Sequence, residues 1–505
     1  MMDTVDVLIV GAGISGIGAA YYLQREHPGR DYTILEARQS TGGTWDLFRY
    51  PGIRSDSDLH TFGYEFKPWR DEYAIATADK ILAYLRETVD ENGMAQRIRF
   101  GHKVLGAAWS SADGRWIVDV ERDGELIQLG ARWLFCAGGY YRYDQGYTPD
   151  FPGRDRFGGR IIHPQLWPED LDYAGKRVVV IGSGATAVTL VPAMAADAAH
   201  VTMLQRSPTY VMPVPAKDTF ANVARRVLGD DRGYALARRK NILKQRAVYT
   251  FCQKHPVLAR RLIRRINAGK LPDGYPVDEH FNPAYDPWDQ RLCAVPDGDL
   301  FAAICDGSAS VVTDRITTFT ETGIRLESGA ELAADIIVTA TGLNIQLFGG
   351  VTLTVDGEPV DLAETVAYKG IMLSGVPNFA FAFGYTNSSW TLKVGLLCEH
   401  FCRLLSHMDA RGVDQVRPVL TDRDMPTLPL LDFAAGYVQR AIDRLPRQGT
   451  RGPWQMTMNY TVDAQVLRNG PVTDDCLQFS RTPAGSAPAA PDPAVAAGGR
   501  PTAAH

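Results

Sequence analysis

The 505-residue sequence predicts an α/β fold with two parallel-sheet units and a helical insertion in the second. Each unit begins with an apolar run, a glycine-rich turn and an apolar helical stretch, in that order. The first turn is GAGISG after Val5–Val10, and the second is GSGATA after Val178–Ile181. Because both turns have the spacing of the Rossmann dinucleotide-binding fingerprint, we predict two Rossmann-like domains.

The first turn predicts a site for FAD or NAD. Its glycines Gly11, Gly13 and Gly16 let the backbone approach a pyrophosphate at the positive end of the following helix. Glu36 stands twenty residues after the last of these glycines. A carboxylate at this place accepts hydrogen bonds from ribose hydroxyls and repels a 2′-phosphate.

The second turn predicts a site for NADPH. Arg206, nineteen residues after the turn and followed by Ser207, is suited to attract a 2′-phosphate. The predicted contacts of the turn itself are Gly182, Ser183, Gly184, Ala185, Thr186 and Ala187. The alternative is a pair of α/β units that bind nothing, which the joint occurrence of both fingerprints disfavours.

Composition excludes several other classes of protein. A net charge of −5 gives no bias toward nucleic acid, and the N-terminal residues run into a core strand without a secretory signal. The seven cysteines lack metal-type spacing, so we expect reduced thiols in a cytoplasmic protein and no metal site. The uncharged stretch Met372–Leu392 contains Pro377 and two glycines, which favours a buried strand and loop over a transmembrane segment.

The order of these features predicts a chain that leaves the first unit and later returns to it. We expect an FAD-binding domain at 1–145 and 366–478, an NADPH-binding domain at 152–215 and 296–365, a helical insertion at 216–295, and a disordered tail at 479–505. Between Arg225 and Lys270 there are fourteen Lys and Arg but two Asp. We interpret them as solvated helix faces; an attractor for anionic NADPH or a membrane surface is the alternative.

Two longer motifs resemble those of a known enzyme family. The segment 157–167 matches FxGxxxHxxxW, and the segment 43–56 matches GxWxxxxYPGxxxD. Both patterns are typical of type I Baeyer–Villiger monooxygenases, and the resemblance extends from Val5 to Asp463. Within that family, the stretches GGTWDLFRYPGIRSDSD and YDPWDQRLCAVP are most similar to the ethionamide-activating members. The fingerprint residues are Phe157, Gly159, His163, Trp167 and Pro168.

The resemblance implies roles for individual residues. Arg291 is expected to reach the flavin and Asp56 to orient it, because a fixed guanidinium stabilises the anionic peroxide that must attack a carbonyl carbon. His163 is expected to couple domain movement to catalysis without acting as an acid or base. Gln290 replaces a Lys of many members, so weaker discrimination against NADH is expected. Further predicted FAD contacts are Gly43, Thr44, Trp45, Asp56 and Val104.

The implied activity is oxygen insertion from dioxygen into ketones through a 4a-peroxyflavin, with sulfides or thioamides as further substrates. Trp167 favours ketone oxidation, since N- and S-oxygenating relatives usually end the fingerprint in Tyr or Phe. Apolar residues of the insertion and of the region 385–395 are expected to line the substrate pocket. The alternatives are an N- or S-oxygenating flavin monooxygenase, a nucleotide-binding sensor without turnover, and a disulfide reductase. The last is disfavoured because the first cysteine of the chain is Cys136.

Overall fold

The computed structural model describes residues 2–290, 292–431 and 435–482. It has two main sheets, each with a core of parallel strands, and a run of helices inserted in the second unit. The predicted α/β fold class, with two Rossmann-like units and a helical insertion, is confirmed. Within the described residues, no helix combines the length and the apolar character needed to cross a membrane.

The first sheet has nine strands. Its central strand Thr4–Val10 pairs in parallel with Tyr32–Glu36 on one side and Glu125–Cys136 on the other. An antiparallel meander extends the sheet beyond Glu125–Cys136. The spatial order is Glu358–Pro359, Thr352–Val355, His102–Ser110, Arg115–Arg122, Glu125–Cys136, Thr4–Val10, Tyr32–Glu36 and Ile98–Phe100, with Phe379–Phe381 paired to Glu125–Cys136.

Both faces of the first sheet are covered, so its central strand is apolar and buried from Val7 to Val10. Val7 and Ile9 face a core that includes the helices Ile14–Glu26 and Trp390–Arg411. Leu8 belongs to the core on the opposite face. The alternation follows from the two-residue period of a strand. Because both faces of the sheet are covered, the carboxyl ends of the strands are its open edge.

The second sheet is entirely parallel. Its five strands are, in spatial order, Ala309–Thr313, His200–Gln205, Arg177–Ile181, Ile336–Thr339 and Arg160–Ile162. The helix Ala185–Ala195 follows the central strand directly, as in the first unit. The helix Asp299–Cys305 packs with Ala185–Ala195 in the core on one face of this sheet.

The insertion between these strands is helical. Its helices are Thr219–Leu228, Asp230–Lys254, Pro256–Ala268 and Val277–His280. A parallel pair of short strands, Val211–Val214 and Cys293–Pro296, closes it at the base. A second short pair, Tyr141–Gly146 with Leu343–Ile345, lies where the chain crosses between the two units, and we name it the linker ladder.

The other elements are short, apart from the helix Ala78–Glu91. The helices are Thr44–Leu47, Leu59–Phe62, Gly436–Gln439 and Tyr460–Asp463, with a π-type turn at Ala464–Asn469. The strand groups are Ile316–Phe319 with Gly323–Leu326 and Glu331–Ala333, Ala367–Tyr368 with Met372–Leu373, and Thr427–Pro429 with Arg447–Gly449. Single 3-10 turns lie at Ala95–Arg97, Arg154–Arg156, Pro164–Leu166, Leu347–Gly350, Leu362–Glu364, Ile442–Arg444 and Gly452–Trp454.

Two segments lie elsewhere than the predicted boundaries put them. Thr352–Val355 falls in the range assigned to the second unit, yet it pairs in parallel with His102–Ser110 of the first sheet. Leu477–Ser480 pairs with Gln415–Pro418, so ordered structure continues past the predicted start of the tail at 479. Residues 483–505 of that tail lie outside the described residues. The other boundaries stay predictions.

Arg238 ties the insertion to the first unit. Its buried Nη1 donates to the carbonyl oxygens of His60, Thr61 and Gly63 at 3.0, 3.1 and 2.8 Å, at the end of the helix Leu59–Phe62. The last carbonyls of a helix lack partners within it and carry the negative end of its dipole, which suits a cation. The insertion is therefore attached to a unit from which it is distant in sequence.

We expect Arg238→Leu to lower the free energy of unfolding by about 2 kcal/mol, because several buried carbonyl groups lose a charged donor. The measurement is urea denaturation followed by circular dichroism. The control is Arg239→Leu, which changes the exposed neighbour on the same helix and should leave the unfolding curve in place. Equal effects of the two substitutions would contradict this account.

Candidate functional site

A central cavity of about 630 Å³ lies between the two units. The first sheet contributes the carboxyl ends of its strands, at Val10, Glu36 and Ala137. The second unit contributes Ala185 and Thr186 at the start of its first helix. Because the carboxyl edge of a parallel sheet is where α/β proteins bind ligands, this cavity is the candidate site.

The first glycine-rich turn packs so closely that a side chain is excluded at Gly11 and Gly16. Gly11 has φ of +100°, and a Cβ atom on Gly16 would lie 1.9 Å from the Gly11 carbonyl oxygen. A Cβ atom on Gly11 would lie 2.9 Å from the carbonyl oxygen of Ala137, at the end of the neighbouring strand. Gly16 is thus needed for packing, while Gly11 and Gly13 line the cavity.

The helix after this turn offers its N-terminus to the cavity. Gly13 is the N-cap residue, and no side chain in the described part of the chain caps the helix there. The free N–H groups and the positive end of the helix dipole favour an anion. The arrangement fits the pyrophosphate of a dinucleotide.

Glu36 completes the first half of the site. Its buried carboxylate accepts the N–H of Ala12 at 2.8 Å on Oε2 and the N–H of Arg38 at 2.9 Å on Oε1. Two backbone donors fix the carboxylate, and each oxygen keeps a lone pair for a further donor. Since Glu36 lines the cavity, these lone pairs fit ribose hydroxyls.

All five of the other predicted contacts of the first unit also line the cavity. Gly43, with φ of +56°, begins the helix Thr44–Leu47, and the Trp45 ring packs edge-on against Phe62 at 5.6 Å between centroids. Asp56 lies on the same wall, where it accepts a hydrogen bond of 3.4 Å from the Ser57 hydroxyl. The cavity-lining members of this predicted set are Gly43, Thr44, Trp45, Asp56 and Val104.

The second glycine-rich turn repeats the geometry of the first. Gly182 has φ of +137°, and a Cβ atom there would lie 2.3 Å from the Ala340 carbonyl oxygen. Gly184 is the N-cap of the helix Ala185–Ala195, and no described side chain caps that helix. Ser183 bonds the Thr209 hydroxyl at 2.7 Å. Ala187 is buried, so its role in the turn is packing.

Arg206 and Ser207 follow the strand His200–Gln205, next to this turn. Both are exposed, and the Ser207 carbonyl accepts the Ser183 hydroxyl at 3.4 Å. The Arg206 guanidinium makes neither an ion pair nor a hydrogen bond with any residue that the structure describes. It is therefore available to an anionic group bound at the second turn.

The fingerprint residues lie under the second sheet and at its link to the first. Phe157 is buried in the core beneath that sheet, and a Cβ atom on Gly159 would lie 2.3 Å from the Asp335 carbonyl oxygen. Trp167 packs partly buried against the core on the other face, and Pro168 follows it half-buried. None of the fingerprint residues lines the cavity among the residues described.

His163 lies against the linker ladder. Its Nδ1 accepts the N–H of Gln165 at 3.2 Å, so Nε2 carries the proton and donates to the Gly342 carbonyl at 3.1 Å. Burial lowers the pKa of the ring, which favours its neutral form. A Cβ atom on Gly146 would lie 2.0 Å from the ring, so the ladder closes directly over it.

Arg291, the predicted catalytic cation, lies outside the described residues. Its pairing with Asp56 therefore stays a prediction. The chain reaches the cavity wall again at Ala294, three residues further on.

The wall of the cavity around Trp390 contains residues that the fingerprints do not include. Trp390 donates from Nε1 to the Ser15 hydroxyl at 2.9 Å and stacks on Tyr140 with centroids 5.2 Å apart. Tyr385 and Ser388 lie beside it, within the predicted region 385–395. Apolar residues of the insertion, 216–295, are also expected to line the pocket. Ala294 of that range lies on the cavity wall, whereas the described helices of the insertion do not reach it.

A buried polar network fixes Tyr385. Its hydroxyl donates to Asp463 Oδ2 at 2.6 Å, and Lys393 Nζ donates to the same oxygen at 3.0 Å. Thr457 donates to the other carboxylate oxygen at 2.6 Å. Burial lowers the pKa of Lys393 and raises that of Tyr385, since both charged forms lose solvation. A lysine and an aspartate seventy residues apart give no sequence pattern, which is why sequence reasoning missed them.

Gln245 of the insertion contacts the cavity wall through a hydrogen bond with Ser388. Its Oε1 accepts the Ser388 hydroxyl at 2.7 Å, and its Nε2 donates to Asp58 at 2.8 Å and Thr61 at 2.9 Å. One amide thus joins the insertion, the first unit and the cavity wall. The amide uses both its donor and its acceptor, so its orientation is fixed.

Comparison with known proteins identifies relatives among the flavin-dependent monooxygenases. The sequence model of the FMO-like family, described as flavin-binding monooxygenase-like, matches residues 5–349. The FAD-containing monooxygenase EthA of Mycobacterium tuberculosis is 54% identical over 485 residues, which cover 96% of this chain and 99% of that protein. The probable FAD-binding monooxygenase AlmA of Acinetobacter baylyi is 49% identical over 484 residues, covering 95% and 97%.

Solved structures show the same fold. An oxidized steroid monooxygenase bound to NADP superposes with a TM-score of 0.76 at 24% identity, covering 95% of this chain and all of that one. Cyclohexanone monooxygenase from Rhodococcus sp. Phi1 bound to NADP⁺ gives 0.73 at 20% identity, with the same coverage. The predicted enzyme class, a flavoprotein monooxygenase, is confirmed by the sequence matches. This chain belongs to the flavin-binding monooxygenase-like family.

Proposed function

We propose that the protein is an FAD- and NADPH-dependent monooxygenase that inserts one oxygen atom from dioxygen into ketones to give esters. Sulfides and thioamides are proposed as further substrates. The observation that carries the proposal is the pair of uncapped helix N-termini beside one cavity, one with Glu36 and the other with Arg206. Bound FAD would supply the electron transfer and dioxygen activation that no side chain can provide.

The first unit would hold FAD. The turn at Gly11 and Gly13 would receive the pyrophosphate, and Glu36 would accept the ribose hydroxyls. Trp45 and Trp390, which both line the cavity, would pack around the cofactor and help to exclude water. The names of the EthA and AlmA relatives, which both state that those proteins contain or bind FAD, support this assignment.

The second unit would hold NADPH. Arg206 and Ser207 would bind the 2′-phosphate, and the turn at Gly184 would receive the pyrophosphate. Since Ala185 and Thr186 line the central cavity, a dinucleotide on this turn can extend toward the first unit. Gln290 adds no positive charge, so Arg206 would bear most of the discrimination against NADH.

The catalytic pair is proposed to be Arg291 and Asp56. Arg291 would place a permanent positive charge beside the anionic reacting groups, and Asp56 would orient it. The position of Asp56 on the cavity wall supports this role. The fingerprint that ends in Trp167 supports ketones over amines as the preferred substrates.

With NADPH, we expect the purified protein to convert phenylacetone to the ester that results from oxygen insertion. One oxygen atom of isotopically labelled dioxygen should appear in this ester. The measurement is gas chromatography with mass spectrometry, with thioanisole and N,N-dimethylaniline assayed in parallel. Boiled protein is the control. Oxygenation of the amine and sulfide with none of the ketone would overturn the proposed ester formation in favour of N- and S-oxygenation.

We expect Arg206→Ala to raise the KM for NADPH by about tenfold or more, because a charge-assisted contact to the 2′-phosphate is lost. The KM for NADH should change less than about twofold, since NADH lacks that phosphate. Steady-state kinetics with both cofactors measure the effect. Arg315→Ala, an exposed arginine of the same unit, is the matched control. Equal losses with both cofactors would exclude the proposed contact.

We expect His163→Gln to slow turnover by about tenfold to a hundredfold through misplacement of the two units. The pH profile of kcat should keep its shape, because burial lowers the pKa of His163 and favours a neutral ring. Kinetics from pH 5 to 9 test this, with the exposed His255→Gln as the control. A lost ionisation in the His163 variant would show that the ring acts as an acid or base.

A further inference from the structure

Two helices of the insertion form a hairpin with an unpartnered outer side. Thr219–Leu228 and Asp230–Lys254 meet at Gly229, and a Cβ atom on Gly233 would lie 2.5 Å from the Arg225 Cα atom. The inner side of the hairpin is buried through residues such as Tyr234 and Arg238. The opposite side of both helices faces solvent.

This outer side exposes large apolar side chains at helical spacing. Phe220, Val223 and Val227 share one face of the first helix, and Leu236 and Leu243 lie seven residues apart on the second. Val227 is 74% exposed and Leu243 is 57% exposed. The two faces are adjacent, since Lys240 Nζ lies 4.7 Å from the centroid of the Phe220 ring. We name this surface the hairpin face; its apolar members are Phe220, Val223, Val227, Leu236 and Leu243.

Basic side chains accompany the apolar ones. Arg239 lies between Leu236 and Leu243, three residues after one and four before the other. The exposed basic residues on or beside the face are Arg226, Arg232, Arg239 and Lys244. Within the described part of the chain, their side chains form no ion pair and no hydrogen bond. The two acidic residues of the hairpin, Asp230 and Asp231, are both exposed, and Asp230 is paired with Arg225 and Arg70.

A surface with both properties differs from the solvated helix faces that the sequence favoured. Solvated faces need charge but not a row of exposed leucine, valine and phenylalanine. A chain with a net charge of −5 nevertheless concentrates unpaired positive charge here. Apolar side chains flanked by cations are the pattern of helices that lie in the headgroup region of an anionic bilayer.

We propose that the hairpin face docks the protein on the surface of an anionic lipid bilayer. The apolar side chains would enter the boundary between headgroups and acyl chains, and the four cations would contact the headgroup phosphates. A second copy of the chain fits less well, because a symmetric contact would bring the cations of both copies together. A nucleic acid would leave the apolar side chains in water. The inference goes beyond the proposed oxygenation and does not depend on it.

The test is co-sedimentation of the FAD-loaded protein with vesicles of phosphatidylglycerol and phosphatidylcholine, compared with vesicles of phosphatidylcholine alone. We expect binding to the anionic vesicles only, and weaker binding as salt is raised. Leu236→Ser with Leu243→Ser should weaken it about tenfold or more, and so should Arg239→Glu with Lys244→Glu.

The matched controls lie away from the hairpin. Leu126→Ser removes an apolar side chain that is 64% exposed on a strand of the first sheet, and Arg315→Glu reverses an exposed charge of the second unit. Both should bind vesicles as the unaltered protein does. Circular dichroism confirms that each variant is folded, which is expected because every changed side chain is exposed.

Three results would overturn the proposal. The unaltered protein could fail to bind anionic vesicles at low salt, both hairpin-face variants could bind them as well as the unaltered protein does, or the control variants could lose as much vesicle binding as the face variants. Light scattering adds a fourth. A dimer that Leu236→Ser with Leu243→Ser splits, without vesicle binding, would assign the face to a second copy of the chain.

Discussion

The strand-to-helix turn at Gly11–Gly16 leaves no space for a side chain at either of these two glycines, and the position of the site depends on that constraint. A Cβ atom on Gly16 would overlap the Gly11 carbonyl, so the helix can start this close to the strand only with glycine at this position. The close start aims the helix N-terminus at the carboxyl edge of the sheet. The turn at Gly182 repeats the constraint against Ala340, and the first residues of its helix border the same cavity.

Buried polar contacts hold the remaining walls to this frame. Asp463 joins Lys393 and Tyr385, and Arg238 joins the insertion to a helix end of the first unit. Such groups are costly to bury unless their partners are well placed, so they allow few alternative arrangements. The ring of His163 has a comparable place at the crossing between the units, where it joins the linker ladder to the segment after Thr339.

The sequence was sufficient to predict the parts of the fold that are local. Each glycine turn, its strand and its helix lie within about thirty residues of one another, as expected of a βαβ unit, and Glu36 and Arg206 lie within that span. The sequence did not predict the partner of Thr352–Val355, because a short alternating strand fits the edge of either sheet. It also missed Arg238, Gln245 and the Asp463 network, whose partners are tens to hundreds of residues away and follow no period. Of the predicted insertion at 216–295, Ala294 lines the cavity, whereas the described helices do not reach its wall and are instead tied to the first unit through contacts such as that of Arg238.

The central claim is that the two glycine-rich turns hold FAD and NADPH in positions from which NADPH reduces FAD. Anaerobic stopped-flow mixing of the purified protein with NADPH tests it most directly, with the flavin absorbance near 450 nm as the readout. The account predicts a flavin-containing protein whose absorbance bleaches completely with NADPH and more slowly with an equal concentration of NADH. A protein that binds no flavin, or whose flavin is reduced by neither nucleotide, would contradict it.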